Sequence, residues 1–326
     1  MSPAHKAKIF VGGLTEGYPP LIRDAFQFLG LAQGIRPSDR VVIKPNLTFP
    51  VFRKGVMTNP EAVEAMVLYL KNFTDHITIC ESDSGGYNRF SMDEVFASTG
   101  LNGMAKRYGV QIVNMSHVTS RSIRFRSGLR TRSVPLPSFL LDETDLFITM
   151  PVPKVHCNTK VSIAMKNQWG IIQQPELRLK LHPHFNEVIY RVNKALPRAI
   201  AVVDGKYGLT RSGPLRGDVL ELNWLLVGDN IFYVDYVVSS LMGYDYRAIP
   251  HLRYAFRKED IDSLNDVLFN TDQQQFVSAD FYLEREWTDY PGLLTFNSRT
   301  LAYVGYKSFL AKPLHWFLYK FREPFY

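Results

Sequence analysis

Residues 40–81 read RVVIKPNLTFPVFRKGVMTNPEAVEAMVLYLKNFTDHITICE, and the fold class can be inferred from this segment first. It begins and ends with short runs rich in β-branched residues, 40–45 and 76–81, which are typical of buried strands. Between them, 60–72 has the spacing of a helix, and Thr58 with Glu61 matches a capping box. The order strand, helix, strand predicts two parallel strands joined by a crossover helix.

The same alternation continues on both sides of this stretch. It predicts an α/β fold in which crossover helices cover a layered, mostly parallel sheet. After about residue 245 the periodicity weakens and aromatic residues multiply, so we expect an irregular, aromatic-rich C-terminal part. Further strands are predicted at 7–13, 110–115, 144–150 and 199–204, and further helices at 20–33, 159–168, 184–195 and 231–242. The predicted divisions are a main α/β domain at 1–245, an extension packed on it at 246–306, and a basic aromatic tail at 307–326.

Composition excludes several classes of protein. With 326 residues, 46% of them hydrophobic and 21% charged, the chain is globular and not disordered, collagen-like or coiled-coil. Two cysteines cannot form a disulfide framework or hold an iron–sulfur cluster. The first residues, MSPAHKAKIFVGG, lack the apolar run of a secretory signal, and no stretch is apolar for long enough to span a membrane. We therefore expect a cytoplasmic protein whose contact with a membrane, if any, is peripheral.

The net charge of +7 is concentrated in two segments. The first, RSIRFRSGLRTR at 121–132, contains five arginines and no acid, and its alternation around Ser127-Gly128 predicts a basic β-hairpin. This hairpin either is a solvated edge protected by its charges or lies over an anion site. It carries no RNP, zinc-finger or helix-turn-helix signature, so nucleic acid is not an expected partner.

The second basic segment is the tail, KSFLAKPLHWFLYKFREPFY at 307–326, which carries a net charge of +3 among aromatic residues. Aromatic rings beside lysine and arginine are typical of a segment that lies on an anionic lipid surface. The alternative is that the rings pack on the domain or on a second copy of the chain, which leaves a homo-oligomer open. Without these two segments the chain is close to neutral.

Candidate binding residues follow two of the predicted strands. Lys44 and Asn46 come after the first strand of the quoted stretch, and Glu81 and Asp83 come after the second. Ligands of parallel sheets bind outside the carboxyl ends of strands, so these side chains are predicted to meet in one crevice. Lysine and asparagine suit a small anionic ligand, whereas the carboxylates could bind a cation or orient a hydroxyl group. A structural role for each remains the alternative.

The densest group of chemically active side chains is 154–170, KVHCNTKVSIAMKNQWG. A helix that begins at Asn158 or Thr159 would leave free backbone N–H groups beside the preceding turn, which is the outline of an anion site. A lysine near the end of such a helix could face the crevice, or its charge could simply be stabilised by the helix dipole. The predicted catalytic residues are His156 for proton transfer and Lys166 and Lys154 for anion binding or substrate polarisation, with Asn158 and Asn167 as binding residues.

Two further histidines, His182 and His184, lie on either side of a proline. Together with His156 they could supply three nitrogen ligands to a divalent metal. Their spacing is not one of the recognised zinc patterns, so acid–base use of an imidazole is the alternative. The cofactor, metal or organic, is left undetermined by the sequence.

The strand predicted at 199–204 is followed by a glycine-rich stretch, DGKYGLTRSGPLRG at 204–217. Glycine lets a backbone approach a ligand closely, so Asp204, Gly205 and Gly213 are taken as substrate-binding residues. The alternative is a plain connecting loop. The stretch matches neither the dinucleotide nor the Walker pattern, so a nucleotide site of those types is not indicated.

Ordered blocks of this chain also resemble a known family. They are Lys44-Pro45-Asn46, TNPEAV at 58–63, Glu81-Ser82, Pro153-Lys154 with His156, Ser162-Ile163 with Lys166-Asn167 and Gly170, and Asp204-Gly205 with Gly213-Pro214 and Gly217. Over about residues 8–245 the chain resembles the uncharacterised family called domain of unknown function 362. Some members carry a ferredoxin-like module, and the two cysteines here depart from that pattern.

The arrangement is more distantly similar to the N-terminal domain of nickel-pincer lactate racemases. In those enzymes a strand, a histidine-bearing turn and a lysine hold a pyridinium-derived nickel cofactor. The resemblance implies that His156, Lys166 and either His182 or His184 are the positions to examine.

We therefore expect an enzyme that binds a small anionic substrate or cofactor in a strand-end crevice and uses His and Lys for acid–base chemistry. The reaction is expected to be racemase- or isomerase-like, or transferase-like. The rival hypothesis is a non-catalytic binding protein for a phosphorylated or lipid-linked ligand, peripheral to a membrane. The rival needs the same basic crevice but no acid–base group within reach of the ligand.

Overall fold

The computed structural model describes residues 6–85, 89–128 and 130–321 of the chain. The strands within these ranges are β1 (Ala7–Gly13), β2 (Val41–Pro45), β3 (Ile77–Glu81), β4 (Ser84–Gly85), β5 (Arg89–Phe90), β6 (Gln111–Asn114), β7 (Ser120–Ser127), β8 (Arg130–Pro137), β9 (Leu146–Met150), β10 (Lys154–His156), β11 (Lys160–Ser162), β12 (Ala199–Thr210), β13 (Asp218–Gly228) and β14 (Val267–Phe269).

The helices are α1 (Tyr18–Leu29), α2 (Pro60–Leu70), α3 (Met92–Ser98), α4 (Leu101–Tyr108), α5 (Ser138–Asp142), α6 (Ala164–Asn167), α7 (Pro175–Leu181), α8 (Phe185–Ala195), α9 (Ile231–Leu241), α10 (Pro250–Lys258), α11 (Tyr290–Asn297), α12 (Arg299–Tyr306) and α13 (Ala311–Leu318).

One central sheet organises the molecule. Its strands lie in the order β14-β1-β13-β12-β9-β2-β3-β6, and the short β10 and β11 attach beside β12. The strands from β12 to β6 are parallel, with Val41 of β2 paired to Ile77 on one side and to Leu146 on the other. Antiparallel β13 joins this parallel part to β1. The predicted α/β fold with a mostly parallel sheet is confirmed.

Helices cover both faces of the sheet because its central strands are apolar on both sides. Every residue of β2 and β9 is buried, and successive side chains point to opposite faces. On one face, Ile43 and Ile79 pack with α1, α2, α3 and α4. On the other face, Val42 and Cys80 pack against the β7–β8 hairpin and α8. The carboxyl ends of the parallel strands are thereby left as one accessible edge.

The helix predicted over 159–168 is wrong in its first part. Lys160–Ser162 forms β11 and pairs antiparallel with β10, and Lys160 adopts a left-handed φ of 68° at the start of that strand. Helix α6 begins only at Ala164, because the buried carboxylate of Asp235 accepts hydrogen bonds from the N–H groups of Ala164 and Met165 at 2.8 and 3.1 Å. A partner 70 residues away in sequence therefore sets the start of this helix.

The capping box predicted from Thr58 and Glu61 is also wrong. Asn59 caps α2, since its side chain accepts a hydrogen bond from the N–H of Glu61 at 3.0 Å. The Thr58 hydroxyl instead accepts from the N–H of Asn46 at 2.8 Å and donates to the carbonyl of Met150 at 2.5 Å. Thr58 therefore ties the exits of β2 and β9 together.

The glycine-rich stretch 204–217 is largely strand and not a loop. Strand β12 continues to Thr210 and pairs antiparallel with β13. Gly205 lies against the ring of Trp224, and a Cβ atom there would be only 2.3 Å from that ring. Only glycine fits at position 205, because any side chain there would overlap the Trp224 ring.

The predicted basic hairpin is confirmed as β7 and β8, which pair from Ser120 with Pro137 to Ser127 with Arg130. The buried ring of Phe125 holds the hairpin against the domain, and the guanidinium of Arg191 on α8 lies over that ring. None of the described hairpin residues lines the cavities described below.

The C-terminal part consists of short elements. Strand β14 extends the sheet by pairing parallel to β1, and α11 and α12 contact the region of α7. Residues 322–326 of the predicted tail lie outside the described residues. Within the described ranges, no helix is long and apolar enough to cross a membrane.

Candidate functional site

A crevice lies at the carboxyl ends of β2, β3 and β9, beside the β10–β11 hairpin, and has two connected parts. The inner chamber, of about 120 Å³, and the outer chamber, of about 270 Å³, share Lys166, Trp169 and Arg178. The inner chamber is otherwise lined mainly by Asn46, Glu81, Ser82, Lys154, Ser162, Asn167 and Gly170. The outer chamber is otherwise lined mainly by His156, Cys157, Leu179, His182, Leu293, Phe296, Tyr306, His315 and Tyr319.

A buried ion pair forms the floor of the inner chamber. The Nζ of Lys44 lies 2.5 Å from Oε2 of Glu81, and both side chains are buried. Asn167 holds the lysine from the other side, because its Oδ1 accepts from Lys44 Nζ at 3.4 Å while its Nδ2 donates to the hydroxyl of Thr149 at 2.8 Å. Gly170 packs against the pair so closely that a Cβ atom would lie 2.5 Å from Glu81 Oε1.

Asn46 presents an unsatisfied group to the inner chamber. The residue is 97% buried, its backbone is fixed by Thr58, and its Oδ1 has no hydrogen-bond partner among the described residues. A buried amide oxygen without a partner is unfavourable, and a ligand that donates a hydrogen bond to it relieves that cost. Asn46 is therefore suited to accept a hydrogen bond from a bound molecule.

Arg178 of α7 is a functional candidate that the sequence reasoning missed. Its Nε donates to the carbonyl of Ile172 at 2.7 Å, and its Nη2 donates to the Ser82 hydroxyl at 2.5 Å and to the carbonyl of Asp83 at 2.9 Å. Burial lowers the pKa of Arg178 to about 10, against the opposing charges of Glu81 and Asp83. The residue thus supplies a fixed positive charge to both chambers. It was missed because α7 is an ordinary amphipathic helix and the sequence around Arg178 matches no recognised motif.

Lys154 is buried and has a single fixed partner. Its Nζ donates to the carbonyl of Val56 at 2.8 Å. Burial, together with the charges of Lys166 and Lys44, lowers the pKa of Lys154 well below its ordinary value. The Lys154 amine therefore loses its proton more readily than an exposed lysine does.

Lys166 differs from the other cations of the crevice. Among the described residues it makes no hydrogen bond or ion pair, although it lines both chambers. Burial lowers its pKa to about 8, and the only opposing influence is the thiol of Cys157. Its amine is therefore available to a ligand and changes its charge near neutral pH.

The hydrogen bonds of His156 fix which nitrogen carries its proton. Its Nδ1 accepts from the backbone N–H groups of Asn158 and Thr159 at 3.1 and 3.4 Å. Burial, with the nearby charge of Lys166, lowers the pKa of His156 well below its ordinary value. The neutral ring therefore carries its proton on Nε2 and acts as a donor there. The predicted helix N-terminus at Asn158 and Thr159 is replaced by this turn.

The predicted metal ligands His182 and His184 do not converge. His182 lines the outer chamber, whereas His184 lies near Arg132 and Arg299. Burial lowers the pKa of His182 to about 3, and the amide of Asn158 contacts its ring. Within the described ranges, no group of three or more His, Cys, Asp or Glu side chains is arranged to hold a metal ion.

Two predicted binding carboxylates have structural roles instead. Asp204 accepts hydrogen bonds from the Tyr18 hydroxyl at 2.8 Å and the N–H of Asn59 at 2.7 Å, and burial raises its pKa. Asp83 accepts from the N–H of Met92 and from the Asn114 amide, each at 2.9 Å. These hydrogen bonds hold both side chains away from the crevice. Neither carboxylate lines it.

The predicted glycines also serve packing. Gly205 is covered by Trp224, as described above, and a Cβ atom at Gly213 would lie 2.0 Å from the carbonyl of Val155. The carbonyl of Gly213 accepts the N–H of Cys157 at 2.8 Å, which positions the turn after His156. Neither glycine lines the crevice, although the adjacent Pro214 does.

The outer chamber is closed by the C-terminal helices, which sequence reasoning did not place there. Phe296 of α11 stacks on the ring of His182 with centroids 4.5 Å apart, and Tyr306, His315 and Tyr319 line the same chamber. Part of the predicted tail therefore packs on the domain. No local pattern connects these residues with a crevice more than 100 positions earlier in the sequence.

Known proteins resemble parts of this chain in sequence or in structure. A thylakoid-associated protein of Synechocystis sp. (strain ATCC 27184 / PCC 6803 / Kazusa) is 23% identical over 235 residues, and the match covers 68% of each protein. A lactate racemase apoprotein from Thermoanaerobacterium thermosaccharolyticum superposes with a TM-score of 0.40 and 16% identity over 65% of this chain and 50% of that one. A Thermotoga maritima protein gives a TM-score of 0.34 and 12% identity over 55% and 49%. The chain thus spans about half of each solved structure.

The family comparison covers the elements that build the crevice. Residues 41–240 match the model of DUF362, a domain of unknown function, and this range includes Lys44, Glu81, His156, Lys166 and Arg178. The match extends over more than half of the chain. The protein therefore belongs to the DUF362 family.

Proposed function

We propose that this protein is an enzyme that binds a small anionic substrate in the crevice and transfers a proton at the carbon next to the anionic group. This step is common to racemases and isomerases. The neutral form of Lys166 takes the proton from the carbon, and the ammonium so formed returns a proton to it. His156 donates a hydrogen bond from Nε2 to the negative charge that develops on the substrate meanwhile.

The cationic character of the crevice supports an anionic substrate. Glu81 neutralises Lys44, but Arg178 bonds to carbonyl and hydroxyl oxygens and keeps its charge uncompensated by a direct ion pair among the described residues. Lys166 adds a second positive charge below its pKa of about 8. A carboxylate or phosphate group that enters the chambers meets both charges away from bulk water.

The unpartnered amine of Lys166 carries the proposal. Each other buried cation of the crevice is fixed by oxygen acceptors, whereas Lys166 faces both chambers without one among the described residues. A base works best when its pKa lies near the operating pH, and the pKa of about 8 meets this condition. Because the charge of Lys166 lowers the pKa of His156, the imidazole stays neutral when Lys166 holds the proton.

Deuterium exchange tests this function without knowledge of the product. The protein is incubated in D₂O with a panel of small carboxylic acids that carry hydrogen next to the carboxyl group, and loss of that ¹H signal is followed by NMR. Lys166→Gln should lose roughly 100-fold or more of the exchange rate. Lys54→Gln, at an exposed lysine outside the chambers, should not change it. Acids that bind without exchange would instead support the rival, a non-catalytic binding protein.

We also propose that the protein is peripheral to a membrane, and the outward face of the C-terminal helices supports this location. Phe309 is 87% exposed, Trp316 63% and Phe321 56%. The Nζ of Lys320 lies 3.7 Å from the centroid of the Trp316 ring, which places positive charge among the aromatic rings. Such a face suits an anionic lipid surface. The relative named for its association with thylakoids is in keeping with this proposal.

Vesicle co-sedimentation tests the location. Wild-type protein should sediment with vesicles of phosphatidylcholine and phosphatidylglycerol, and less with phosphatidylcholine alone. The double variant Phe309→Ser/Trp316→Ser should remain in the supernatant. Leu68→Ser/Val219→Ser removes two other apolar side chains, each 45% exposed, and serves as the matched control that should still sediment.

A further inference from the structure

The outer chamber differs in character from the inner chamber. The inner chamber contains the amide side chains of Asn46 and Asn167, although Leu47, Trp169 and Pro214 also line it. The outer chamber has more apolar and aromatic walls, with Leu179, Leu293 and Phe296 among them, together with the acidic Asp289. The chambers are adjacent, since six residues line both, so a ligand with its charged group at Lys166 would lie beside each of them.

Aromatic rings pack against one another along the wall of the outer chamber. The His182 ring is stacked between Phe185, at a centroid distance of 5.3 Å, and Phe296, at 4.5 Å. Trp169 meets both His182 and Phe185 edge-on, at 5.8 and 4.8 Å. Rings that pack on one another in this way form a rigid surface before any ligand binds. A flat apolar group gains more binding free energy from contact with such a surface than a small polar group does.

One wall of the chamber lies outside the part of the chain that matches the family. The match ends at residue 240, whereas Leu293 and Phe296 belong to α11 and Tyr306 to α12. The cationic inner chamber is thus built by the family region, and the apolar wall is contributed by the C-terminal segment.

We propose that the outer chamber is a specificity site for an apolar, ring-sized body on the same anionic ligand, and that Phe296 is its main contact. This inference rests on the proposed function, since Lys166 and Arg178 bind the charged end. The ligand class is then an aromatic acid, with its carboxylate at the boundary of the chambers and its ring against the wall of α11.

Three probes separate the contributions of ring and charge. Isothermal titration with 3-phenylpropanoate, propanoate and 3-phenylpropan-1-ol compares the whole ligand with the charge alone and with the ring alone. We expect 3-phenylpropanoate to bind at least tenfold more tightly than either of the others. Phe296→Ala should reduce this advantage over propanoate at least threefold and leave propanoate binding unchanged. Phe309→Ala, at an 87% exposed ring of the same C-terminal segment, is the matched control and should keep the full advantage.

A second variant guards against loss of folding. Leu293→Trp fills the chamber without removing the stack on His182, and it should also abolish the advantage of the phenyl group. Equal affinity of the wild type for propanoate and 3-phenylpropanoate would overturn the specificity site and leave the proposed function standing. If no anion binds at all, the proposed function fails as well. An unchanged advantage in both Phe296→Ala and Leu293→Trp would contradict the role of the C-terminal wall.

Discussion

Lys44 Nζ and Glu81 Oε2 lie 2.5 Å apart, at the ends of two adjacent parallel strands and out of contact with solvent. The pair joins the exits of β2 and β3 beneath the inner chamber. Since the two charges compensate each other, the positive character of the crevice comes from Arg178 and Lys166. The ammonium group of Lys44 is already paired and is not free to bind an anion.

Breaking this pair should destabilise the protein. Glu81→Gln leaves the Lys44 ammonium buried without a counter-charge, and we expect the free energy of unfolding to fall by about 3–5 kcal/mol. Urea denaturation followed by circular dichroism measures the loss. The double variant Lys44→Met/Glu81→Leu replaces the pair with apolar groups and should recover most of it. A Glu81→Gln protein as stable as wild type would refute a compensated buried pair.

Gly170 should not tolerate even a methyl group. A Cβ atom there would lie 2.5 Å from Glu81 Oε1 and 3.0 Å from Lys44 Nζ, so Gly170→Ala must displace the ion pair. We expect a loss of about 1–3 kcal/mol in the free energy of unfolding. Gly103→Ala in α4 is the matched control, because no atom lies within 4 Å of its added Cβ, and it should stabilise by about 0.5–1 kcal/mol. Equal behaviour of the two variants would count against the packing described here.

Buried histidines should make the protein sensitive to acid. Burial lowers the pKa of His251 to about 3, and its Nε2 has no hydrogen-bond partner in the described part of the chain. Between pH 6.5 and 3 the unfolded chain binds a proton here that the folded protein does not, so stability falls as the pH falls. His251→Phe should reduce that decline by about 1.4 kcal/mol per pH unit in this window. Urea denaturation at several pH values gives the slopes, and His117→Phe, at a 65% exposed side chain, should keep the wild-type slope.

Anion binding should weaken at alkaline pH. The charge of Lys166 is lost as the pH rises through its pKa of about 8, so the affinity for 3-phenylpropanoate should fall above pH 8 by up to about tenfold per pH unit. Titration calorimetry from pH 7 to 9.5 measures this. Lys166→Gln should bind weakly at every pH in the range, whereas Lys54→Gln should follow the wild type. A wild-type affinity that is constant across this range would contradict a charge contribution from Lys166.

Much of the sheet could be predicted from local patterns. The strand 7–13 agrees with β1 residue for residue, and the strands predicted at 40–45 and 76–81 differ from β2 and β3 by one residue. Buried parallel strands are short, apolar and rich in β-branched residues, and each segment shows these features by itself. The order of the strands in the sheet cannot be predicted in this way, because β1 pairs with β13, which is more than 200 residues away.

The errors share a physical cause. The segment 159–168 suits a helix that Asn158 or Thr159 would cap, but the carboxylate of Asp235 starts the helix only at Ala164. Likewise, the position of Asp204 after a strand of five apolar residues predicts a substrate-binding carboxylate, yet β12 runs on beside β13 and buries it. Long-range partners override local propensity at both points.

Part of the crevice wall could be predicted. Strand ends indicated Lys44, Asn46 and Glu81, and the dense group at 154–170 indicated His156 and Lys166. The structure places Asn46, Glu81, His156 and Lys166 along the walls of the two chambers. The sequence could not show that Lys44 is neutralised by Glu81, that Lys166 is without a partner among the described residues, or that the C-terminal helices close the outer chamber. These are properties of contacts between segments and not of any one segment.

Direct titration of Lys166 shows whether its amine is partnered in the free protein and whether it binds the substrate. Protein labelled with ¹⁵N-lysine is titrated by heteronuclear NMR, and Lys166→Gln assigns the signal. We expect a midpoint of about 8 for the free protein, and a rise when 3-phenylpropanoate is added, because a bound anion favours the charged amine. A midpoint near the ordinary value of about 10.4, unchanged by the acid, would contradict a buried, unpartnered lysine that binds the substrate.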